Sequence, residues 1–349
     1  MSTVAAGATT RVASDNAARP VTLDRVFEEL DQQRRAALSN YWRTAIKSLV
    51  ALPFSFLPGL PLAALVTDSA GSNVLSGLAG RLKSLTGDSL SLIVFVGVAL
   101  IFVGLFFIAR YFHANARGPV RAYERDYKRH VFSAVCAQHF PGLRYDVDGY
   151  IGYDEFEATG LFPYPVDEYF SEDYFEGQLG QTEVRFAEVT AARERRRLIG
   201  KPKRYMETYF DGIVLVADFH KHFHSITRLV PDGEKIDKVR GQRSVALEDP
   251  EFEALFSVVS TDQTDVRYVL SPSMMQRFVQ LTRRFPKLRA RFENENLILL
   301  LPASRDHFET SVYQHPACPQ QIDRFVQDLK SIVPVVEELD LNTRIWSKA

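Results

Sequence analysis

The sequence predicts an α+β protein: a two-helix transmembrane hairpin followed by a cytoplasmic domain with a mostly antiparallel sheet and flanking helices. Three observations lead there. Two uncharged runs, Ser48–Val66 and Ser89–Ala109, interrupt a charge-balanced chain of 349 residues with 42 Lys+Arg against 43 Asp+Glu. Beyond Pro141-Gly142 the apolar pattern changes to short alternating segments, the mark of strands. Helical segments gather late, and two of them open on a cap residue followed by proline, Asp249-Pro250 and Ser271-Pro272. Strand runs joined by short turns, with helices grouped after them, favour an antiparallel layer over alternating βαβ units.

Composition narrows the class further. At 46% apolar and 24% charged residues, the chain is not collagen-like, wholly disordered or a strongly basic polyanion binder. Two cysteines, Cys136 and Cys318, are too few for a disulfide framework and point to a reducing compartment.

Residues 1–20 are small and polar with no apolar core, so they read as a mobile tail and not as a cleavable signal. Over residues 21–44, Leu23, Val26, Phe27, Leu30, Ala37, Leu38 and Tyr41 recur at three- and four-residue spacing: an amphipathic helix with Thr22 as its cap. Its acids, Asp24, Glu28, Glu29 and Asp31, favour a protein surface over anionic lipid as its partner.

The transmembrane hairpin is assigned to residues 45–110, with spans at about 45–66 and 89–110. Ser89–Ala109 holds 21 residues without a charge, 17 of them apolar. At roughly 1.5 Å per residue, that crosses a hydrocarbon core of about 30 Å. The first run carries Pro53, Pro58, Gly59 and Pro61, so it should kink or begin its regular helix late; a re-entrant or interfacial segment is the alternative. Arg34, Arg35, Arg43 and Lys47 precede the first run, and Arg110, Arg117, Arg121, Arg125, Lys128 and Arg129 follow the second. The linker Thr67–Asp88 has only Arg81 and Lys83, which puts both termini in the cytoplasm. The lipid bilayer is thus the first expected partner.

Residues 118–349 form the cytoplasmic domain. Val120–His139 reads as a helix with Val120, Tyr123, Tyr127, Val131, Val135 and Cys136 on one stripe, ended by Pro141-Gly142. Strands are expected at Thr182–Val189, Tyr209–Phe219, Arg267–Leu270, Leu288–Phe292 and Leu297–Leu301. Helices are expected at Pro250–Leu255, at Pro272–Phe285, and from Gln321 to about Glu338 with an interruption near Pro334.

The stretches FDGIVLVADFHKHFHSITRLVPD (Phe210–Asp232), VALEDPEFEALFSVVSTDQTDVRYVLSPSMMQRF (Val245–Phe278), ARFENENLILLLP and HFETS, with DEYFSEDYFEGQLGQTEVRFAEV upstream, resemble the bacterial domain of unknown function DUF3137. The resemblance covers roughly Val120–Thr310. It implies two membrane segments ahead of a cytoplasmic domain, hence a multi-pass protein of the bacterial plasma (inner) membrane. It implies no activity and carries over no catalytic residue.

Three constellations invite a functional reading. In Asp146-Val147-Asp148-Gly149-Tyr150-Ile151, Asp146, Asp148, Ile151 and Glu155 fall at the spacing of a calcium loop. Arg144 stands where the first carboxylate should be, so a turn with solvated acids is the better reading. His220, His222 and His224 would share one strand face and are the weak metal candidates; an exposed strand end is the simpler account. The basic run Arg193, Arg195, Arg196, Arg197, Lys201, Lys203 and Arg204 lies between two strands. It is expected to be either a solvated hairpin loop or a contact with anionic headgroups or a partner. The acids Asp167, Glu168, Glu172, Asp173 and Glu176 could offset it within the fold.

No phosphate loop, GxSxG, HExxH or CxxC pair occurs, so no catalytic residue and no cofactor is assigned and nucleic acid is not an expected partner. Two functions remain: a membrane-tethered interaction or scaffold module, and a membrane-tethered enzyme or metal-binding protein whose site is assembled only in the fold.

Overall fold

The computed structural model describes residues 23–56, 104, 117–197, 203–219, 224–236, 241–303, 305–339 and 341. Its centre is a nine-stranded sheet in the order β1-β2-β3-β4-β9-β8-β5-β7-β6. The strands are β1 (Leu143–Asp146), β2 (Glu168–Leu179), β3 (Thr182–Arg197), β4 (Lys203–Asp218), β5 (Thr227–Pro231), β6 (Arg243–Val245), β7 (Phe256–Ser260), β8 (Arg289–Glu293) and β9 (Asn296–Pro302). Every pairing among the described residues is antiparallel, and two-residue turns join β2 to β3 and β8 to β9. With its flanking helices the domain is α+β.

Period-two alternation splits the sheet into two buried faces. On one, Phe175, Phe186, Ile213, Leu215, Leu299, Leu301, Ala290 and Phe292 meet a layer of helices. On the other, Ala187, Val189, Val214, Val230 and Leu300 meet Ile151, Phe156 and Leu161. A strand such as β4, apolar on both sides, therefore reads as a nearly continuous hydrophobic run.

The helices follow their caps. Asp249 accepts from the N–H groups of Glu251 (2.9 Å) and Phe252 (3.1 Å) and starts the short helix Pro250–Glu253. Ser271 accepts from Met274 N–H at 3.4 Å and starts Pro272–Arg284, which buries Met274, Met275, Phe278 and Leu281 at three- and four-residue spacing. Pro319–Ile332 and Pro334–Glu338 form the C-terminal pair, broken where Pro334 stands. Phe325 of the first stacks on Phe132 with ring centroids 4.0 Å apart.

Arg267–Leu270 is not a strand. It belongs to the helix Gln263–Val269, capped by Asp262, whose carboxylate accepts from Thr264 N–H at 2.7 Å, with Val266 and Val269 buried three residues apart. The overlooked cap outweighs the β-branched residues. Nor is Val120–His139 one regular helix: residues 117–139 are helical, but Lys128–Phe132 forms a π-helical turn.

Helix α1 spans Leu23–Phe56, 34 residues, and so extends well past residue 44. Leu30 and Ala37 are buried in the main core, with Val26, Phe27 and Leu38 against it, which places the helix on the domain. It continues through Pro53 and does not begin late in the first uncharged run. Among the described residues no helix is long and apolar enough to cross a membrane. Residues 57–66 of the first run, and the second run apart from Gly104, lie outside the described residues, as does the tail 1–20.

Over the second face runs a strap from Ile151 to Val166, held by sheet arginines. Arg185 pairs with Glu155 (Nη1 to Oε2, 2.8 Å), Arg291 donates to Thr159 O at 2.7 Å and Arg289 to Leu161 O at 2.9 Å; Arg228 donates to Gly160 O. Arg228, Arg289 and Arg291 take carbonyls just past the C-terminal end of Tyr153–Ala158, where the helix dipole favours cations.

Candidate functional site

The densest group of perturbed ionisable side chains lies where β2, β3 and β4 meet the loop after β9. It starts from an irregularity in β2. The β2–β3 register shifts between Glu172 and Phe175, so Asp173 and Tyr174 together oppose Ala187, a β-bulge. Asp173 takes a left-handed conformation (φ +54°), and its side chain is buried. There it meets Lys128 Nζ at 2.6 Å and accepts a hydrogen bond from the Tyr145 hydroxyl. Lys128 comes from the π-helical turn, a local device often found where one side chain must be re-aimed.

Burial drives the Asp173 carboxyl above its ordinary range while Lys128 and Tyr145 pull it back. The Lys128 ammonium loses water on burial, yet the facing Asp173 holds it above its usual value.

Glu188 of β3 lies directly opposite Glu172 of β2, a like-charge cross-strand pair that costs stability when both are ionised. Burial pushes the Glu188 carboxyl up to about 8, helped by the charges of Asp173, Glu172 and Asp306 and opposed by the hydrogen bond from His307 N–H (2.9 Å). Glu309 is also raised by burial. Carboxylate oxygens of Glu188, Asp211 and Asp306 lie within 4.8 Å of one another. Asp211 also accepts from the Thr190 hydroxyl at 3.2 Å.

The loop is fastened from the other side by buried Asp328, which accepts from Phe308 N–H at 3.1 Å, bonds Arg305, and has His307 Nδ1 at 3.5 Å. Although burial opposes it, His307, Phe308 and Arg305 hold the Asp328 carboxyl below its usual range. The HFETS stretch, His307–Ser311, is thus fastened at its start to two buried acids, His307 N–H to Glu188 and Phe308 N–H to Asp328.

Chemically, this arrangement stores a proton at neutral pH on Glu188. It has the oxygen donors of a hard-cation site, but two of the three acids are exposed and Glu188 is already committed to His307. A cleft of about 560 Å³ lies elsewhere, at the ends of β1, β2 and β3 beside Gly142, Arg144, Glu176, Gly177 and Arg185.

The basic run takes a different form from the expected loop. Arg193–Arg197 lie in β3 and Lys203 and Arg204 in β4, paired with one another in the register Arg196↔Arg204 and Arg197↔Lys203. Backbone pairing between the strands carries the charges into a regular ribbon. Arg193 and Arg195 both pair with Glu207, at 2.7 and 3.0 Å, and Arg204 with Glu194 at 3.3 Å. Arg193 also lies 3.4 Å over the Tyr164 ring. Lys201 is outside the described residues.

The strand β4 ends at Asp218, and His220 and His222 lie outside the described residues. His224 is exposed, with its N–H donated to Asp265 at 3.1 Å. The carboxylates of the calcium-like loop are taken by arginines: Asp148 by Arg125 and Arg129 (2.7 Å), Glu155 by Arg185, while Arg144 sits in β1 and pairs with Glu176 at 2.7 Å. Cys136 is buried and its thiol pushed up to about 11, and Cys318 Sγ donates to Gln320 at 2.9 Å.

Sequence reasoning noted Glu172 and Asp173 only as offsetting charge and did not single out Lys128, Glu188, Asp211, Asp306 or Asp328. The available signal was an acid, Glu188, in the middle of an alternating strand flanked by apolar residues.

Residues 208–341 match the family model described as "Protein of unknown function (DUF3137)", which supports that family for this chain. The match begins inside β4 and runs to the end of the last helix, later at both ends than the resemblance suggested. No curated protein matches the sequence. Among solved structures, the crystal structure of the mycobacterial trehalose monomycolate transport factor A, TtfA, is similar at 11% identity and a TM-score of 0.30, covering 61% of this chain and 96% of that one.

Proposed function

We propose, taking the DUF3137 match as premise, that the protein is a membrane-tethered interaction or scaffold module. Its two uncharged runs enter the bacterial plasma (inner) membrane, both termini stay in the cytoplasm, and the α+β domain offers its surfaces to a protein partner or to the membrane face. The observation that carries the reading is helix α1. One end is docked on the domain through Leu30 and Ala37, and its last nine residues, Ser48–Phe56, begin the first uncharged run. A helix continuous across that junction would hold the domain at a set distance from the bilayer, which a flexible linker would not do.

Trp42 and Ile46, four residues apart on α1 and each 55% exposed, lie between Arg35 and Lys47, the composition of a helix entering a headgroup layer. The enzyme reading has one observation in its favour, the raised Glu188 carboxyl, and Glu188 does not line the cleft beside Gly142 and Arg185.

Alkaline carbonate extraction of membranes from cells making the full chain is the test. Retention in the pellet, together with protease cleavage of the domain in inverted vesicles and protection in intact cells, is the expected result. Release into the supernatant, or cleavage from outside, would overturn the tether. Co-purification in mild detergent with no reproducible partner would remove the scaffold half.

A further inference from the structure

We infer that the paired ends of β3 and β4 form a cationic ribbon that docks on anionic lipid headgroups; this deepens the tethered-module reading and rests on it. The partner of β3 on its outer side, β2, pairs only as far as Ala192, and β9 pairs with β4 only from Gly212 onward. Residues 193–197 and 203–207 therefore have only each other as strand partners among the described residues, a two-stranded extension beyond the sheet anchored at its base by Glu194 N–H, which donates to Asp167 at 2.7 Å. Such a ribbon is marginally stable in water.

The sequence of the ribbon adds a further cost. Over residues 193–207 there are seven Lys or Arg against two carboxylates, Glu194 and Glu207. The register sets Arg196 directly opposite Arg204, a like-charge pair that is unfavourable on a sheet. Glu207 is shared by two arginines, and the side chain of Arg204 stays 76% exposed despite its contact with Glu194. A fold that holds cations together at a cost favours an anionic ligand that relieves it.

The choice of a bilayer over a nucleic acid comes from the apolar residues on the same ribbon. Tyr205 and Met206 are each 44% exposed, next to Arg204 on adjacent positions and hence on opposite faces. One phenol and one flexible thioether among arginines suit the boundary of headgroups and acyl chains. They do not make the row of aromatic platforms that single-stranded nucleic acid uses. With the domain already tethered, the effective concentration of lipid is high, and a contact too weak to recruit a free protein is enough to orient this one.

The experiment uses the full chain, carrying Met206→Cys and Cys318→Ser and labelled at position 206 with a polarity-sensitive fluorophore. It is reconstituted into nanodiscs of phosphatidylcholine alone or of phosphatidylcholine with phosphatidylglycerol. A blue shift in the anionic discs only, reversed by salt, is expected. Arg196→Glu with Arg204→Glu should abolish the shift in the anionic discs. Because the salt reversal is read on the unreversed ribbon, a misfolded double variant does not rescue the idea.

Identical emission in both discs overturns the proposal, as does a shift produced only by added RNA or DNA oligonucleotide. Failure of the tether is seen separately, as a chain that does not enter discs. The same labelled chain is then titrated to high concentration with phosphatidylglycerol vesicles, where a salt-reversible blue shift at position 206 supports the ribbon and no shift overturns it.

Discussion

Replacing Glu188 by Gln should stabilise the protein at alkaline pH and leave it unchanged near pH 5. The carboxyl is raised from 4.5 to about 8 in the folded chain, first by burial and then by the facing acids. Between those two values the native state holds a proton that the unfolded chain has released. Stability therefore falls as pH rises through the window and stays reduced above it.

At about 1.36 kcal/mol per pH unit, the interval caps the loss at roughly 5 kcal/mol. Asp211 and Asp306 beside Glu188 are exposed and admit water as it ionises, so a gain of about 1–3 kcal/mol for the variant is expected at about pH 8.5. Glutamine keeps a carbonyl oxygen for His307 N–H, so the hydrogen bond survives the change. Asp173 and Glu309, also raised by burial, tilt both proteins in the same sense, and the difference between them isolates Glu188. Urea unfolding in one detergent, followed by far-ultraviolet circular dichroism at about pH 5 and about pH 8.5, measures it. Equal stabilities at both pH values, or a variant less stable at the higher one, would refute the reasoning.

Three further outcomes follow from particular contacts. Lys128→Met leaves Asp173 buried without its cation and should cost about 3–5 kcal/mol, whereas Lys128→Met with Asp173→Asn should recover most of it; a double variant as unstable as the single one refutes the pairing. Gly177→Ala should cost at least about 2 kcal/mol in the same unfolding assay, since a Cβ there would overlap the Gly142 carbonyl that receives Gln178 N–H at 2.8 Å. Arg291→Met removes a donor to Thr159 O, so amide hydrogen exchange of residues 151–166 should rise about tenfold or more while that of β4 stays unchanged.

Much of the scaffold is legible in the residues. Asp249-Pro250 and Ser271-Pro272 announce two helices because an N-cap followed by a fixed φ is a local signal, and Leu297–Leu301 and Thr182–Val189 announce strands because alternation is local too. Where the local signal is weak or mixed, the reading fails. Arg267–Leu270 looks like a strand until Asp262 is seen as a cap, and Arg193–Arg204 looks like a loop until the register shows two strands. β2 hides behind its many acids and the bulge at Asp173, and β5 takes its place from a partner about 60 residues on, β8.

By itself, the sequence determined the α+β class, the two uncharged runs, the amphipathic α1 and the caps. Each of these depends on residues within one or two turns, or on the hydrophobicity of a single segment. Only the tertiary structure decided that Glu172 and Glu188 stand opposite each other, that a bulge turns Asp173 inward onto Lys128, and that the HFETS loop closes over Glu188. It also decided that Arg196 and Arg204 meet across a ribbon. Those contacts join residues from about 8 to more than 100 positions apart. Their charge, burial and proton affinity are properties of the register and of the low-dielectric space between elements, and composition carries neither.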